Sequence, residues 1–96
     1  MLSHTQKRVL KYVEAGSFLK LKSYLRKHKD VDVNFSQGKK ERTPLHVSCS
    51  RGDDLVLRLL LKHGAEVLRK DRKGDTVLHI AANRALKHGR TGESPW

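Results

Sequence analysis

The pair of residues best suited to chemistry is His46 and Cys49, which lie three positions apart. On a helix this spacing places both side chains on one face, as two metal ligands or as a nucleophile beside its base. A tetrahedral zinc site needs further ligands, and no other residue at a suitable spacing supplies them. We therefore predict no metal, no cofactor and no catalytic activity.

A second candidate is the tripeptide Arg51-Gly52-Asp53, which spells an adhesion motif. Adhesion requires an extracellular protein, yet the N-terminal residues lack the apolar core of a secretory signal. The single cysteine excludes an internal disulfide framework and favours a reducing, intracellular compartment. Gly52 is instead expected to form the turn between two helices, and Asp53 to cap the second of them.

Basic residues cluster in two loop-like stretches of a chain with a net charge of +11, from 21 Lys and Arg against 10 Asp and Glu. Such an excess attracts anionic partners. We predict that the loops bind a protein with an acidic segment, through Lys39, Lys40, Arg42, Arg69, Lys70, Arg72 and Lys73.

Nucleic acid is the alternative partner, since the same side chains could contact phosphates. Against it, the chain lacks aromatic platforms for base stacking and any glycine-rich phosphate loop. No membrane partner is predicted, because no stretch approaches the roughly 20 apolar residues of a membrane span.

The elements that must position these residues are short helices. Apolar residues fall on one helical face from Thr5 to Ala15, and again from Phe18 to His28. In the second of these helices the predicted buried stripe consists of Phe18, Leu19, Leu21, Tyr24 and Leu25. Residues 36–40 then read as a polar loop or hairpin tip.

A third helix should start at Thr43, because its hydroxyl can accept a free backbone N–H and Pro44 suits the first helical position. The next helix carries six apolar residues in the seven positions 55–61, which predicts burial on most of its sides. Gly64 is expected just past its C-terminal end. A further short helix should open at Thr76.

The chain contains one short phrase twice. The first copy spans residues 43–49 and the second spans residues 76–82, so that Thr76 follows Thr43 by 33 residues. A fixed period of this length is typical of stacked-repeat proteins. The positions that define the repeat are Thr43, Pro44, Leu45, His46, Gly52, Gly64, Gly74, Thr76, Leu78 and His79.

These positions resemble the ankyrin repeat, a β-turn followed by two antiparallel helices. The resemblance implies an all-α solenoid of about two and a half repeats. The implied units are a degenerate capping repeat over residues 1–35, a complete repeat over 36–68, a partial repeat over 69–88 and a flexible tail over 89–96. Because the partial repeat lacks a second helix, its apolar face should be partly exposed at Leu78, Ile80 and Leu86.

The resemblance also implies roles for residues. His46 and His79 should hydrogen-bond the neighbouring threonine and the loop backbone, so that they fix the turn. Cys49 should face the core between helices, where a buried thiol is inert. The two basic stretches become loops that project beside a concave groove, which is the usual partner-binding surface of the family.

Within the family, the basic N-terminal helix pair and the run over residues 70–79 are similar to those of NF-κB inhibitor-like members. This similarity implies negative regulation of NF-κB-type transcription and of innate immune signalling. It also raises the expectation of a truncated product without its own function, since a further repeat and a charged region would be expected. We expect a monomer located in the nucleus, with the cytoplasm as a second location.

Overall fold

A computed structural model describes residues 2–87 of the chain. Within that range the protein has no strand, and its five helices are α1 (His4–Ala15), α2 (Phe18–Lys27), α3 (Pro44–Arg51), α4 (Asp54–Lys62) and α5 (Val77–Lys87). The predicted all-α repeat architecture is confirmed. The predicted flexible tail, residues 89–96, lies outside the described residues.

The helices form two layers. In the inner layer α1, α3 and α5 lie side by side, with α3 in contact with both neighbours. In the outer layer α2 packs on α1 and α4 packs on α3, and the two outer helices also contact each other. The described chain is therefore two helix pairs in succession, followed by the first helix of a third unit.

The inner helices α1 and α3 begin and end in the same way. Ser3 and Thr43 each accept the N–H of the third helical residue, whose side chain accepts the N–H of the cap in return. Gly16 and Gly52 end these helices in the left-handed conformation, with φ angles of 68° and 70°. After Gly52, the carboxylate of Asp53 accepts a backbone N–H of α4 at 3.2 Å. The caps predicted at Thr43 and Asp53 are present.

A single hydrophobic core runs from the first helix pair into the third unit. It consists of Val9, Val13, Leu21, Leu25, Val33, Leu45, Val56, Leu59, Leu60 and Val77. These side chains come from all five helices and from the loop before α3. Each unit is therefore stabilised by packing on its neighbours, as is general for stacked repeats.

The outer helices are covered on one side only, which corrects two predictions. In α4, Leu55 is 58% exposed and Leu61 is 40% exposed, so this helix is not buried on most sides. In α2, Leu19 is exposed and does not belong to the buried stripe. An outer helix meets its neighbours only on the face toward the inner layer, however many leucines it carries.

The helix of the third unit, α5, follows Thr76 as predicted and extends to Lys87. The position that corresponds to Gly52 one repeat later is occupied by Ala85. Without a glycine in the left-handed conformation, nothing in the local sequence ends the helix there.

The apolar residues of α5 differ in how far they are covered. Leu78 is 61% exposed and Leu86 is also exposed, as predicted. Ile80 is buried, so the prediction for that residue is wrong; α5 packs on α3, and this contact covers part of its apolar surface. Leu45, at the position equivalent to Leu78, is only 2% exposed because another unit follows it.

Candidate functional site

The loop that leads into α3 forms a tight hairpin. Gln37 and Arg42 exchange both of their backbone hydrogen bonds, with N···O distances of 3.1 and 3.2 Å. Gly38 takes a positive φ of 79°, a conformation that glycine adopts freely. Lys39 and Lys40 are therefore exposed at the tip, where the sequence predicted a polar loop or hairpin tip.

The loop that leads into α5 is folded around the carboxylate of Asp71. Its Oδ1 accepts the N–H groups of Lys73 and Asp75, each at 2.9 Å. The backbone of Asp71 also donates to the carbonyl of Asp75 and accepts the N–H of Gly74. The buried acid thus fixes the shape of a loop whose other side chains are mostly basic.

Asp71 also joins the two loops. Its Oδ2 lies 3.8 Å from Nε of Arg42 in the hairpin. The next residue, Arg72, donates its N–H to the carbonyl of Lys40 at 2.9 Å. An ion pair and a backbone hydrogen bond therefore hold the two loops against each other.

The surroundings of Asp71 lower its pKa. Burial by itself disfavours the carboxylate and raises the pKa, but the N–H groups of Asp75 and Lys73, with a smaller contribution from the charge of Arg42, outweigh it. The carboxylate is consequently charged throughout the neutral pH range.

Between the two loops lies an open cleft of about 320 Å³, which we call the basic cleft. Its lining consists of Lys39, Lys40, Arg42, Asp71, Arg72 and Lys73. The four cations at its rim, Lys39, Lys40, Arg72 and Lys73, are exposed and form no ion pair with any described residue. The cleft can therefore attract an anion from outside the chain.

The structure brings together only part of the predicted binding set. Residues Lys39, Lys40, Arg42, Arg72 and Lys73 line the basic cleft. Arg69 and Lys70 do not line it: Lys70 is exposed, and Arg69 pairs with Glu66 at 3.3 Å.

The first copy of the repeated phrase is a closed network around His46, whose side chain is fully buried. Nδ1 accepts the N–H of Thr43 at 3.1 Å and lies 2.7 Å from the hydroxyl of the same residue. Nε2 donates to the carbonyl of Asp75 at 2.9 Å, in the loop before α5. These partners assign the ring proton to Nε2 and leave neither nitrogen available to a metal ion or a substrate.

The second copy of the phrase is closed on one side only. Nδ1 of His79 accepts the N–H of Thr76 at 3.2 Å and lies 3.0 Å from its hydroxyl. His46 donates from Nε2 to a carbonyl, but Nε2 of His79 has no such acceptor within residues 2–87, and its side chain is exposed. The two histidines thus occupy equivalent positions with very different degrees of constraint.

Asn34 is a structural residue that sequence reasoning missed. Its Nδ2 donates to the carbonyl of Gly64 at 2.9 Å, and its Oδ1 accepts the N–H of Glu66 at 2.8 Å. These two bonds tie the loop before α3 to the loop after α4. One repeat later the position is Val67, so the period gave no signal, and only the turn preference of asparagine pointed to a loop.

The arginine and glycine of the adhesion-like tripeptide are part of the scaffold. The guanidinium of Arg84 lies so close to Gly52 that a side-chain carbon at Gly52 would overlap it, and Nη1 of Arg84 donates to Ser50. Arg51 approaches Gly16 in the same way, since a side-chain carbon at Gly16 would lie 3.0 Å from its Nη2. Each arginine therefore covers the helix-ending glycine of the preceding unit.

The thiol of Cys49 is half-buried, less deeply than the prediction placed it. Its Sγ donates to the carbonyl of Val77 at 3.4 Å. Burial raises the pKa of the thiol, so the nucleophilic thiolate is disfavoured. In the part of the chain that the structure describes, no group of three His, Cys, Asp or Glu residues is placed to hold a metal ion. No helix in that part is long and apolar enough to span a membrane.

Comparison with known proteins identifies the repeated unit. A family model of ankyrin repeats, in three copies, matches residues 11–90. The match runs from within α1 to beyond α5 and includes both loops of the basic cleft.

Similarity to individual proteins falls into two kinds. The Notch-regulated ankyrin repeat-containing protein of Xenopus tropicalis is 34% identical over 80 residues, which are 82% of this chain and 70% of that protein. The protein of the same name from Xenopus laevis is 33% identical over 82 residues, or 84% of this chain and 72% of that protein. A palmitoyltransferase of Lachancea kluyveri is 42% identical over 55 residues, which are 57% of this chain but only 8% of that enzyme.

Proposed function

The chain belongs to the ankyrin-repeat family, and we propose that its basic cleft holds an acidic segment of a partner protein. Ankyrin repeats form modules for protein–protein interaction, which gives the general function. The observation that supports the specific proposal is the basic cleft, where loops of successive units are fixed together and present four exposed cations.

The cleft is suited to recognition because its backbone is held in place before a partner arrives. The hydrogen bond from Arg72 to Lys40 and the bonds to Asp71 fix both loops within the protein itself. Binding then does not have to order the loop backbone, which reduces its entropic cost. The net charge of +11 adds long-range attraction for an acidic partner and raises the association rate.

Catalysis has no comparable support. The fold is typical of binding modules without enzymatic activity. The similarity to the palmitoyltransferase covers 8% of that enzyme, so its activity is not carried over to this chain.

Charge reversal in the cleft tests the proposal. The variant Lys39→Glu, Lys40→Glu, Arg72→Glu, Lys73→Glu should capture at least about tenfold less partner protein from a nuclear extract, because a like-charged cleft repels an acidic segment. Capture by the immobilised chain is measured by quantitative mass spectrometry, with folding checked by circular dichroism.

A matched control separates the cleft from net charge. Lys20→Glu, Lys22→Glu, Arg58→Glu and Lys62→Glu change three lysines and one arginine on the exposed faces of α2 and α4. This control has the same net charge as the cleft variant, and we expect it to retain capture. Equal loss in both variants would contradict the cleft as the binding site.

Nucleic-acid binding is the alternative that the net charge of +11 favours. A protein with six to ten contacts to the phosphates of a single strand loses roughly 10²–10⁴ in affinity between 50 and 200 mM salt. A gel-shift assay with single-stranded RNA at these two salt concentrations therefore distinguishes the alternatives. RNA binding that weakens this steeply with salt would favour nucleic acid over the acidic segment. The two charge-reversal variants should then lose RNA affinity to the same extent.

A finer version of the proposal is that the chain acts as a nuclear monomer and lowers NF-κB-type transcription in innate immune signalling. Its support is the similarity of the basic helix pair α1–α2 and of residues 70–79 to NF-κB inhibitor-like members, whereas the names of the two Xenopus relatives refer to Notch. Expression of the chain should lower the output of an NF-κB reporter, and the cleft variant should not. Unchanged output with both would refute this version and leave the binding module itself untouched.

A further inference from the structure

We propose that the basic cleft recognises a phosphomonoester, carried by a phosphorylated serine or threonine within the acidic segment of the partner. The inference rests on the proposed binding function of this cleft and specifies the chemical group that the cleft takes.

The balance of charge in the cleft is the first support. Its lining holds five cations and one carboxylate. The carboxylate, that of Asp71, is already bound to two backbone N–H groups and lies beside Arg42. Four exposed cations are left to face a ligand, and they are Lys39, Lys40, Arg72 and Lys73.

A phosphomonoester matches this excess better than a carboxylate does. At pH 7 it carries a charge of about −1.5 to −2 and three strong acceptor oxygens. A carboxylate carries one charge and two oxygens, so it leaves most of the cations that line the cleft without a partner. With a volume of about 320 Å³, the open cleft lies at the small end of ligand pockets and has room for one such group with the adjoining peptide backbone.

Arg42 supplies a second, independent observation. Its Nε is buried and has no hydrogen-bond partner among the described residues. The distance of 3.8 Å to Oδ2 of Asp71 is that of an ion pair and is too long for a hydrogen bond. The side chain as a whole is 26% exposed and lines the cleft. Asp71 thus holds in place a guanidinium that lines the cleft, and guanidinium groups bind phosphate through pairs of N–H donors.

The same lining is poorly suited to RNA. It contains no aromatic side chain on which a base could stack. Each phosphodiester carries a single charge, and affinity for RNA accumulates along a track of phosphates. The cations of the cleft instead line one small volume between two loops.

The test uses three fluorescent peptides and the full chain. All three are ten residues of Glu, Ala and Gly that differ only at one central position, which is serine, aspartate or phosphoserine. Fluorescence anisotropy should show the phosphoserine peptide binding at least about tenfold more tightly than the aspartate peptide, with the serine peptide weakest.

The charge variants test whether the preference for the phosphoserine peptide over the aspartate peptide arises in the cleft. The cleft variant at Lys39, Lys40, Arg72 and Lys73 should lose it, and the matched control on α2 and α4 should keep it. The milder single variants Lys40→Gln and Lys73→Gln, at exposed positions, should each lower the affinity for the phosphoserine peptide about two- to tenfold. They replace the fourfold variant in this test if that variant does not fold.

Each other outcome overturns the inference in a recognisable way. Equal affinity for the phosphoserine and aspartate peptides would exclude a phosphate-specific cleft while leaving the acidic-segment function intact. Failure of all three peptides to bind would also overturn it, and partner capture from extract would then decide the proposed function separately. Inorganic phosphate or free phosphoserine that competes as well as the phosphopeptide would show a site for free phosphate. Tighter binding of single-stranded RNA would assign the cleft to nucleic acid.

Discussion

Replacement of His46 by alanine should lower the free energy of unfolding by about 3–5 kcal/mol. The ring is fully buried. Its Nδ1 accepts the N–H of Thr43 and lies within hydrogen-bond distance of the hydroxyl of that residue, and its Nε2 donates to the carbonyl of Asp75. Alanine would leave both backbone groups without a partner and would open a cavity in the core. The total free energy of unfolding of a small domain is about 5–15 kcal/mol, so this single change removes a large share of the stability.

The chain offers a matched comparison, since His79 occupies the equivalent place in the second copy of the phrase. Its Nδ1 has the same bonds to Thr76, but the side chain is exposed and Nε2 has no partner within residues 2–87. The change His79→Ala should therefore cost less than about 1 kcal/mol, because water can satisfy the groups that it leaves. The difference between the two changes in free energy measures the contribution of the bond from His46 to Asp75, because both histidines form the same hydrogen bonds within their own turns.

Urea unfolding followed by far-ultraviolet circular dichroism measures both variants under one condition. Amide hydrogen exchange should in addition show faster exchange in α5 of the His46→Ala variant, since the bond to Asp75 ties that unit to α3. Equal destabilisation by the two substitutions would mean that the inter-unit bond contributes little and that the histidines act only within their own turns.

The features that the sequence predicted well are those that neighbouring residues determine. Thr43 with Pro44 marks a helix start because the threonine hydroxyl can accept a free backbone N–H and proline suits the first helical position. Gly52 marks a helix end because the left-handed conformation is a local property of that residue. The period of 33 residues then indicated that the helices form stacked repeats, which predicted the fold.

The features that the sequence did not predict depend on contacts between distant residues. Asp71 reads as an interruption of a basic run, yet its partners include Arg42, which is 29 residues earlier in the chain. Asn34 bonds Gly64 and Glu66 across one unit, and no repeat of that residue signals the contact. Such roles require the register between units, which neither composition nor spacing supplies.

The exposed leucines show the same limit in the helices. A run of six apolar residues in seven positions predicts burial, but it does not say how many neighbours a helix will have. In α4 the neighbours lie on one side, and Leu55 and Leu61 face away from them. Sequence identified which helix is rich in leucine, and only the layer arrangement identifies which leucines are covered.

Removal of the Asp71 side chain should destabilise the protein and loosen the basic cleft. We expect Asp71→Ala to lower the free energy of unfolding by about 2–3 kcal/mol, because the N–H groups of Lys73 and Asp75 lose their buried acceptor. Asp71→Asn keeps an acceptor oxygen in the same place and removes only the charge, so it should cost less than Asp71→Ala. Urea unfolding at pH 7 compares the two variants.

The charge of Asp71 predicts a specific pH dependence. Its pKa in the folded protein is lowered from the ordinary value of 3.8, so the folded state favours the carboxylate. The resulting stability is fully present above pH 3.8 and is lost as the pH falls through the lower, folded-state pKa. The difference in free energy of unfolding between the wild type and Asp71→Asn should therefore be constant from pH 7 to 5 and shrink below pH 4. Asp30→Asn, at an exposed position, is the control and should change stability little at any of these values.

The two Asp71 variants also distinguish the effect of the loop's fixed position on binding to the cleft from the effect of net charge. Both remove one negative charge and so raise the attraction for an anion, but only alanine releases the loop that carries Arg72 and Lys73. If the cleft acts through fixed positions, the asparagine variant should bind the phosphoserine peptide at least as tightly as the wild type. The alanine variant should then bind more weakly than the asparagine variant, despite the same net charge, because binding must order the loop. Equal binding by the two variants would show that the charge of the loops suffices and that the buried acid stabilises the fold without shaping recognition.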